Sequence, residues 1–187
     1  MKFTISTAAS ILTFLSLSSA LPTESIVKRE ETVRPTVTSQ YSVWTGAINY
    51  KTSQGLIQKT GITSDITTLV TFDIPSSAAG KQCELVFTLG SYNWPTGTAT
   101  FDVFTSIKPA TAPSASWPPG NLRDQYLGRL KAVNNGPAQN VEGFQPVVGQ
   151  KIPCPAGQTL AGELVGAGDQ VYIRWDVATE GPYIKIT

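Results

Sequence analysis

Apolar and polar residues alternate with a period of two over several stretches of this chain, and two runs alternate most regularly, CELVFTL and VYIRWDV. Their inward positions are Cys83, Leu85, Phe87 and Leu89 in the first run and Val171, Ile173, Trp175 and Val177 in the second. This period is typical of strands that bury one face and expose the other. Both runs are therefore predicted to be half-buried β-strands, each packing one face against the core.

Two further runs, TTLVTFDIP and TATFDVFT, alternate in the same way, with Val70, Phe72, Ile74, Phe101 and Val103 inward. The first is predicted to stop at Pro75, which lacks a backbone N–H for sheet pairing. YSVWTGAINY and PYIKIT are further strand candidates. Turn-forming sequences lie between the runs, and the pair Asn135-Gly136 is a strong turn signal. Short turns between strands, without a long helical pattern, predict an all-β fold, an antiparallel β-sandwich of jelly-roll type.

Two segments are harder to interpret. NLRDQYLGRLKAV places large residues at nearly helical spacing, and Asn121 could cap a helix. Gly128 weakens a helix interior, so a strand over 126–133 is predicted instead. The Pro-rich stretch 106–120, SIKPATAPSASWPPG, predicts a stiff, extended surface loop. We expect it to connect the two sheets; O-glycosylation within 105–119 and a role in binding are left open.

The beginning of the chain has the features of a secretory signal peptide over residues 1–20. Lys2 precedes an uncharged, mainly apolar stretch that ends in small residues at Ala20. The alternative is a membrane anchor, but the apolar run is short and interrupted by Ser and Thr, whereas a membrane span needs about 20 mostly apolar residues. The expected localisation is secreted, either extracellular or in a cell wall.

A dibasic step follows the signal at Lys28 and Arg29. It predicts a propeptide over 21–29 that is removed by a processing protease, and the alternative is a solvated basic pair in a disordered tail. Behind it we expect a flexible N-terminal segment over 30–40 and a single domain over 41–187.

Composition excludes several classes of function. With 14 Lys and Arg against 13 Asp and Glu, the chain lacks the basic surplus of a nucleic-acid-binding protein. It contains no histidine, which excludes serine and cysteine catalysis through an imidazole base and most imidazole metal sites. Neither a cofactor nor a metal is expected, and no membrane association is expected after signal cleavage. The two cysteines, Cys83 and Cys154, form one disulfide if the chain is secreted, or remain as two buried thiols otherwise.

Paired carboxylates are the remaining route to hydrolysis, as in enzymes that cleave glycosides. The candidates are Asp73, Glu84, Asp102, Glu142, Glu163, Asp169 and Asp176. None belongs to a recognisable catalytic motif, and most fall in turns or on the outward face of strands, where a solvated charge is the ordinary explanation. We therefore expect no catalytic residues.

Loop aromatics are the candidate binding residues. Tyr92 and Trp94 lie in the loop GSYNWPTGT, and Trp117 lies in the Pro-rich loop. Exposed aromatic rings offer flat apolar faces on which sugar rings can stack. The alternative is that these side chains pack down as loop anchors. Trp175 is assigned to the core, and Trp44 could serve either purpose.

Three stretches together resemble a known family: TLVTFDIPSSAAGKQCELVFTL, LGRLKAV and IPCPAGQTLAGELVGAGDQVYIRWD. They are similar to the But-two-type C-terminal domain (ubiquitin 3 binding protein But-two C-terminal domain), which is common in small secreted fungal proteins. The resemblance covers roughly 41–187 and implies a β-sandwich stapled by Cys83 and Cys154. It supplies no catalytic set.

Together these features predict a secreted, non-catalytic extracellular or cell-wall protein that binds wall polysaccharide through Tyr92, Trp94 and Trp117. One alternative is a secreted factor that binds a partner or host protein. Another is a hydrolase acting on glycosides through paired carboxylates.

Overall fold

The computed structural model describes residues 30–116, 121–144 and 147–187. Its strands are β1 (Glu31–Val33), β2 (Val37–Ser42), β3 (Ile48–Asn49), β4 (Gln54–Lys59), β5 (Ile66–Asp73), β6 (Gln82–Leu89), β7 (Thr96–Gly97), β8 (Thr100–Ser106), β9 (Arg123–Lys131), β10 (Gly136–Pro137), β11 (Gln139–Asn140), β12 (Ile152–Pro153), β13 (Thr159–Ala167), β14 (Val171–Asp176) and β15 (Gly181–Ile186). A single 3₁₀ turn, Ser76–Ala78, separates β5 from β6. Over the described ranges, no helix has both the length and the apolar character needed to cross a membrane.

The strands form two antiparallel sheets that face each other. The larger sheet has the order β11-β9-β8-β13-β5-β4-β14-β7, with β2 on β5 and β3 on β2. The smaller sheet has the order β1-β15-β6-β10, with β12 also on β6. Phe87 of the smaller sheet packs against Phe101 and Trp175 of the larger, with ring centroids 4.8 and 5.1 Å apart. The predicted all-β, antiparallel sandwich-like fold is thus confirmed.

The regular alternation predicted for β6 and β14 is confirmed. In β14, every inward residue is buried and every outward residue is exposed. In β6, Cys83, Phe87 and Leu89 are buried, and Leu85 packs against the core while partly buried. The disulfide between Cys83 and Cys154 is present, with a sequence separation of 71 residues. The prediction of one disulfide is confirmed.

Strand β5 is buried on both faces, so the prediction of a single apolar face is incomplete. Its inward residues contribute to the core between the sheets. Its outward residues Thr67, Leu69 and Thr71 are buried as well. Leu69 packs with Tyr41 and Ile48 in a second apolar layer on the outer face of the larger sheet. We call this outer layer, with residues 107–116, 121 and 122 that lie over it, the covered face.

The Pro-rich segment does not connect the two sheets, contrary to the prediction. It joins β8 to β9, which are hydrogen-bonded neighbours in the larger sheet. Ser114 and Ile48 exchange backbone hydrogen bonds, which holds the segment on the outer face of that sheet. Ala110 packs against the apolar layer below. Residues 117–120 lie outside the described residues.

The segment with ambiguous spacing forms a strand, as predicted, but this strand begins at Arg123 and ends at Lys131. The register between β8 and β9 shifts near Phe104, as in a β-bulge. Leu127 falls at this shift and packs against the core, as the buried Leu130 also does. Leu127 and Leu130 therefore both face the core although they lie three residues apart, a spacing that is also typical of one face of a helix. Gly128 has a φ of 142° and leaves no room for a side chain, because Val148 would lie 2.2 Å from an added Cβ.

The prediction of a flexible segment over 30–40 is wrong. Residues of β1 pair with β15, and residues of β2 pair with β5. Val33 packs against the core, and Arg34 donates hydrogen bonds to the carbonyl oxygens of Thr179 and Glu180. The interruption at Pro35 reads as a loop in the sequence, but it only separates two short strands.

Candidate functional site

Exposed apolar side chains collect at one end of the sandwich. This end is formed by the starts of β5, β8 and β14 and by the ends of β4 and β13, which lie together because Val171 pairs with Lys59 and Ala167 with Thr100. Next to the exposed Val43, this end carries five further exposed apolar residues: Trp44, Ile62, Tyr92, Trp94 and Tyr172. We call these five residues and their loops the aromatic end.

Tyr92 and Trp94 are the most prominent residues of this end. The exposed fraction is 94% for Tyr92 and 70% for Trp94. Both lie in the loop between β6 and β7. The short strand β7 follows this loop and pairs with the start of β14. Tyr172 of β14 pairs with Thr96 two residues after Trp94, which brings a third exposed ring to the same end.

The loop that carries the two aromatic residues is held by polar groups beneath it. The Oε1 atom of Glu180 accepts a 2.9 Å hydrogen bond from the backbone N–H of Gly90, and its Oε2 atom accepts one from the side-chain amide of Asn93. The Nδ2 atom of Asn134 lies 3.1–3.3 Å from the carbonyl oxygens of Gly90, Ser91 and Asn93. The loop is therefore fixed through its backbone, and the aromatic side chains are not needed as anchors.

Close approach of the glutamate requires glycine at position 90. A Cβ atom added to Gly90 would lie 2.2 Å from Oε1 of Glu180. Any larger residue at this position must displace the carboxylate. Glycine is therefore favoured here because of this close contact and not because of the backbone angle.

A groove of about 360 Å³, lined by both polar and apolar groups, lies beside the aromatic residues. Its wall includes Gln58, Lys59, Thr60 and Gln170, and Tyr172 stands at its edge. Amide and hydroxyl groups both donate and accept hydrogen bonds, and the ammonium group of Lys59 donates them, which suits a ligand rich in hydroxyl groups. A ligand in the groove could therefore contact both polar groups and a ring face.

Trp44 and Ile62 extend the aromatic end on the far side of the groove. The turn that carries Trp44 is joined to the loop that carries Ile62 by a 3.0 Å hydrogen bond from the Val43 N–H to the Asp65 carbonyl oxygen. Sequence reasoning left Trp44 undecided and did not single out Ile62. A usable signal was present, because each lies within two residues of a turn glycine, where an apolar side chain has little opportunity to be buried.

Trp117 lies outside the described residues. Tyr92 and Trp94, in contrast, are both described and lie two residues apart in one exposed loop. The predicted processing residues Ala20, Lys28 and Arg29 also lie outside the described residues.

Among the acidic candidates, Glu163 departs most from expectation. A solvated charge is the ordinary explanation for most of these candidates, but the side chain of Glu163 is 0% exposed. It lies on the covered face, where Arg123 donates two hydrogen bonds to it, from Nε at 2.8 Å and from a terminal nitrogen at 2.9 Å. Thr67 and Asn121 each donate a further hydrogen bond at 2.6 Å. Each carboxylate oxygen thus accepts two hydrogen bonds, which satisfies the buried charge.

The electrostatic surroundings of Glu163 are visible in its neighbours. Hydrogen bonding to this carboxylate raises the pKa of Arg123, and the Arg123 guanidinium also lies 4.9 Å from the ring centroid of Phe104. Burial raises the pKa of Tyr41, and the Glu163 charge raises it further. A carboxylate held by four donors has no oxygen site left to take a proton from a substrate.

Other acidic candidates have partners that account for them. Asp102 forms a two-point ion pair with Arg129, at 2.7 and 2.9 Å. Asp73 accepts a 2.6 Å hydrogen bond from Thr159, and Asp176 accepts one from the N–H of Ala178 within a turn. Across the described ranges, no group of three or more acidic or cysteine side chains is arranged to hold a metal ion.

Comparison with known families identifies residues 47–177. They match the family model described as Ubiquitin 3 binding protein But2 C-terminal domain. Strands β2 and β15 lie outside the matched range but pair with strands inside it, and β1 in turn pairs with β15. A search of curated proteins found no significant match.

Proposed function

The chain belongs to the But2 C-terminal domain family, and we propose that this member is a secreted, non-catalytic protein that binds cell-wall polysaccharide through its aromatic end. The observation that carries the proposal is the exposure of Tyr92 and Trp94 on a loop that is already anchored by other groups. Large exposed aromatic side chains concentrated in one region are typical of binding surfaces.

The chemistry of the aromatic end supports a carbohydrate as the ligand. A sugar ring has apolar C–H faces that stack on aromatic rings and hydroxyl groups around its rim. The groove supplies partners for the hydroxyl groups through Gln58, Thr60 and Gln170, next to the ring of Tyr172. A protein partner would favour a broader apolar surface with less hydrogen-bonding capacity at its centre.

Non-catalytic action is supported by the state of the carboxylates. Glycoside hydrolysis needs two carboxyl groups free to exchange protons or attack the sugar across a cleft. Glu163 is surrounded by four donors, and Asp102 is held by Arg129. Secretion is supported by the signal-like sequence over 1–20 and by the disulfide, since disulfides persist in oxidising compartments.

The test is binding of the purified protein to insoluble chitin, β-glucan and cellulose, with the bound fraction measured over a range of polysaccharide concentrations. We expect Trp94→Ala to weaken retention on at least one of them by roughly thirtyfold, as for removal of a central aromatic contact. Tyr92→Ala should weaken it less, because tyrosine offers the smaller ring.

Phe144→Ala is the matched control. Phe144 is also an exposed aromatic residue, but it lies beyond β11 and contacts Arg129 on the outer face of β9. It should therefore leave retention unchanged. Equal retention of all variants, or no retention of the parent protein, would contradict the proposal and direct the search to a protein partner.

A further inference from the structure

A cavity of about 240 Å³ lies between the two sheets, away from the aromatic end. Its wall is formed by inward positions of both sheets, with Val70, Val103 and Leu164 on one side and Leu85 and Ile184 on the other. Leu85 packs against both of the core clusters that lie between the sheets. The cavity therefore occupies the junction where these two parts of the core would otherwise meet.

The accessible wall of the cavity is almost entirely carbon. Two glutamates, Glu84 and Glu163, contribute to its lining, but the carboxylate of Glu163 is bound by Arg123 on the covered face. No lysine or arginine contributes to the wall as described. A charged group buried here would lack a partner, which disfavours ions and acids as ligands.

The cavity also has a route to solvent. Gln150 and Ile152 contribute to its lining, and both are exposed. They lie in the segment that precedes the disulfide at Cys154, so this side of the cavity is closed by a surface loop and a short strand rather than by a central strand of either sheet. A small molecule can therefore reach the interior without separation of the two sheets.

We propose that this cavity is a binding site for an uncharged, apolar small molecule. A cavity of 150 Å³ with a similar aliphatic wall accommodates benzene, so by proportion this cavity holds roughly nine or ten carbon atoms. An empty cavity leaves the surrounding aliphatic groups without packing partners, whereas an alkyl chain would restore those contacts. The site is separate from the polysaccharide surface and does not depend on the function proposed for it.

The first test is thermal unfolding of the purified protein with 1-nonanol, and with nonanoate as the charged counterpart of the same length. We expect 1-nonanol at several times its dissociation constant to raise Tm by about 4 °C. Nonanoate should have no effect, because its carboxylate would be buried without a partner. No shift with 1-nonanol, or equal shifts with both compounds, would overturn the proposal.

Filling the cavity supplies the matched comparison. Leu85→Phe adds a ring at the cavity wall and should abolish the effect of 1-nonanol. Leu56→Phe makes the same change on β4, away from the cavity, and should retain the effect. Loss of the effect in both variants, or in neither, would contradict the assignment.

Methyl NMR of the unmodified protein keeps the test decisive if Leu85→Phe does not fold. Shifts caused by 1-nonanol should be largest for Val70, Val103 and Leu164. Shifts confined to surface methyl groups, such as that of Ile62, would overturn the proposal. Trp94→Ala should bind 1-nonanol like the parent, which separates this site from the polysaccharide surface.

Discussion

The loop between β6 and β7 and the segment after β8 differ in where their side chains lie. The loop between β6 and β7 exposes Tyr92 and Trp94 to solvent. The segment after β8 lies on the outer face of the larger sheet and covers Leu69. Each loop is attached by a glutamate from another part of the chain, Glu180 in the first case and Glu163 in the second.

The difference lies in which groups each glutamate binds. Glu180 accepts hydrogen bonds from a backbone N–H and from Asn93, so the rings on either side of Asn93 are free to project outward. Glu163 accepts hydrogen bonds from the side chains of Asn121 and Arg123, which draws the end of the segment down onto the sheet. A glutamate that accepts hydrogen bonds thus leaves the side chains of the first loop exposed, whereas in the second it holds the segment against the sheet.

The largest effect on stability is expected from removing the positive charge of the covered face, which Arg123 carries. Arg123→Ala leaves Glu163 buried with a charge that only Thr67 and Asn121 can satisfy. We expect the free energy of unfolding to fall by about 3 kcal/mol, since removing one partner of a buried ion pair strands the other. Unfolding in urea, followed by tryptophan fluorescence, measures the loss.

The double variant Arg123→Met/Glu163→Leu distinguishes a stranded charge from lost packing. It removes both charges while keeping most of the side-chain volume, so it should be more stable than Arg123→Ala alone. If the double variant is the less stable of the two, the buried carboxylate is not the source of the loss.

A smaller effect is expected at the aromatic end. Glu180→Ala removes two hydrogen bonds to a charged acceptor that is only partly buried, and should lower the free energy of unfolding by about 1–2 kcal/mol. Polysaccharide retention should fall as well, although Tyr92 and Trp94 remain, because the loop loses its fixed position. Glu180→Gln should restore part of both quantities.

Binding and stability together test the positioning role of Glu180. A loss of stability in Glu180→Ala with full retention on the polysaccharide would show that the loop does not need this anchor in order to bind. Gly90→Ala should resemble Glu180→Ala, since its Cβ atom would displace the carboxylate without removing it.

Sequence patterns predicted the parts of this molecule that depend on local alternation. The inward faces of β6 and β14 follow from a period of two, and the predicted secretion led to the expectation of a disulfide between Cys83 and Cys154. Patterns were weaker where distant segments decide burial. Leu127 reaches the core because of a register shift between β8 and β9, which no spacing within β9 alone can reveal.

Glu163 shows the same limit at the level of a single side chain. It lies on the outward face of β13, a strand that the sequence patterns did not single out, and an outward carboxylate is normally solvated. It is buried because the segment after β8 returns over that face with Arg123 and Asn121. The exposure of Tyr92 and Trp94 likewise depends on Asn134 and Glu180, which are distant in sequence.

The smallest effect concerns Asp73, an exposed carboxylate at the end of β5 that contrasts with the buried Glu163. Hydrogen bonds from Thr159 and then Thr36 lower the pKa of Asp73 from its ordinary value of 3.8. A lowered folded-state pKa stabilises the fold above pH 3.8, and this contribution is lost as the pH falls through the folded value.

Thr159→Val removes the first donor with little change in shape, so it should destabilise the protein slightly at pH 6 and less at pH 2. Asp73→Asn/Thr159→Val, compared with Asp73→Asn alone, should show no such pH dependence. If the effect of Thr159→Val is the same at both pH values in the parent background, its cause is packing at the start of β13 and not the charge of Asp73.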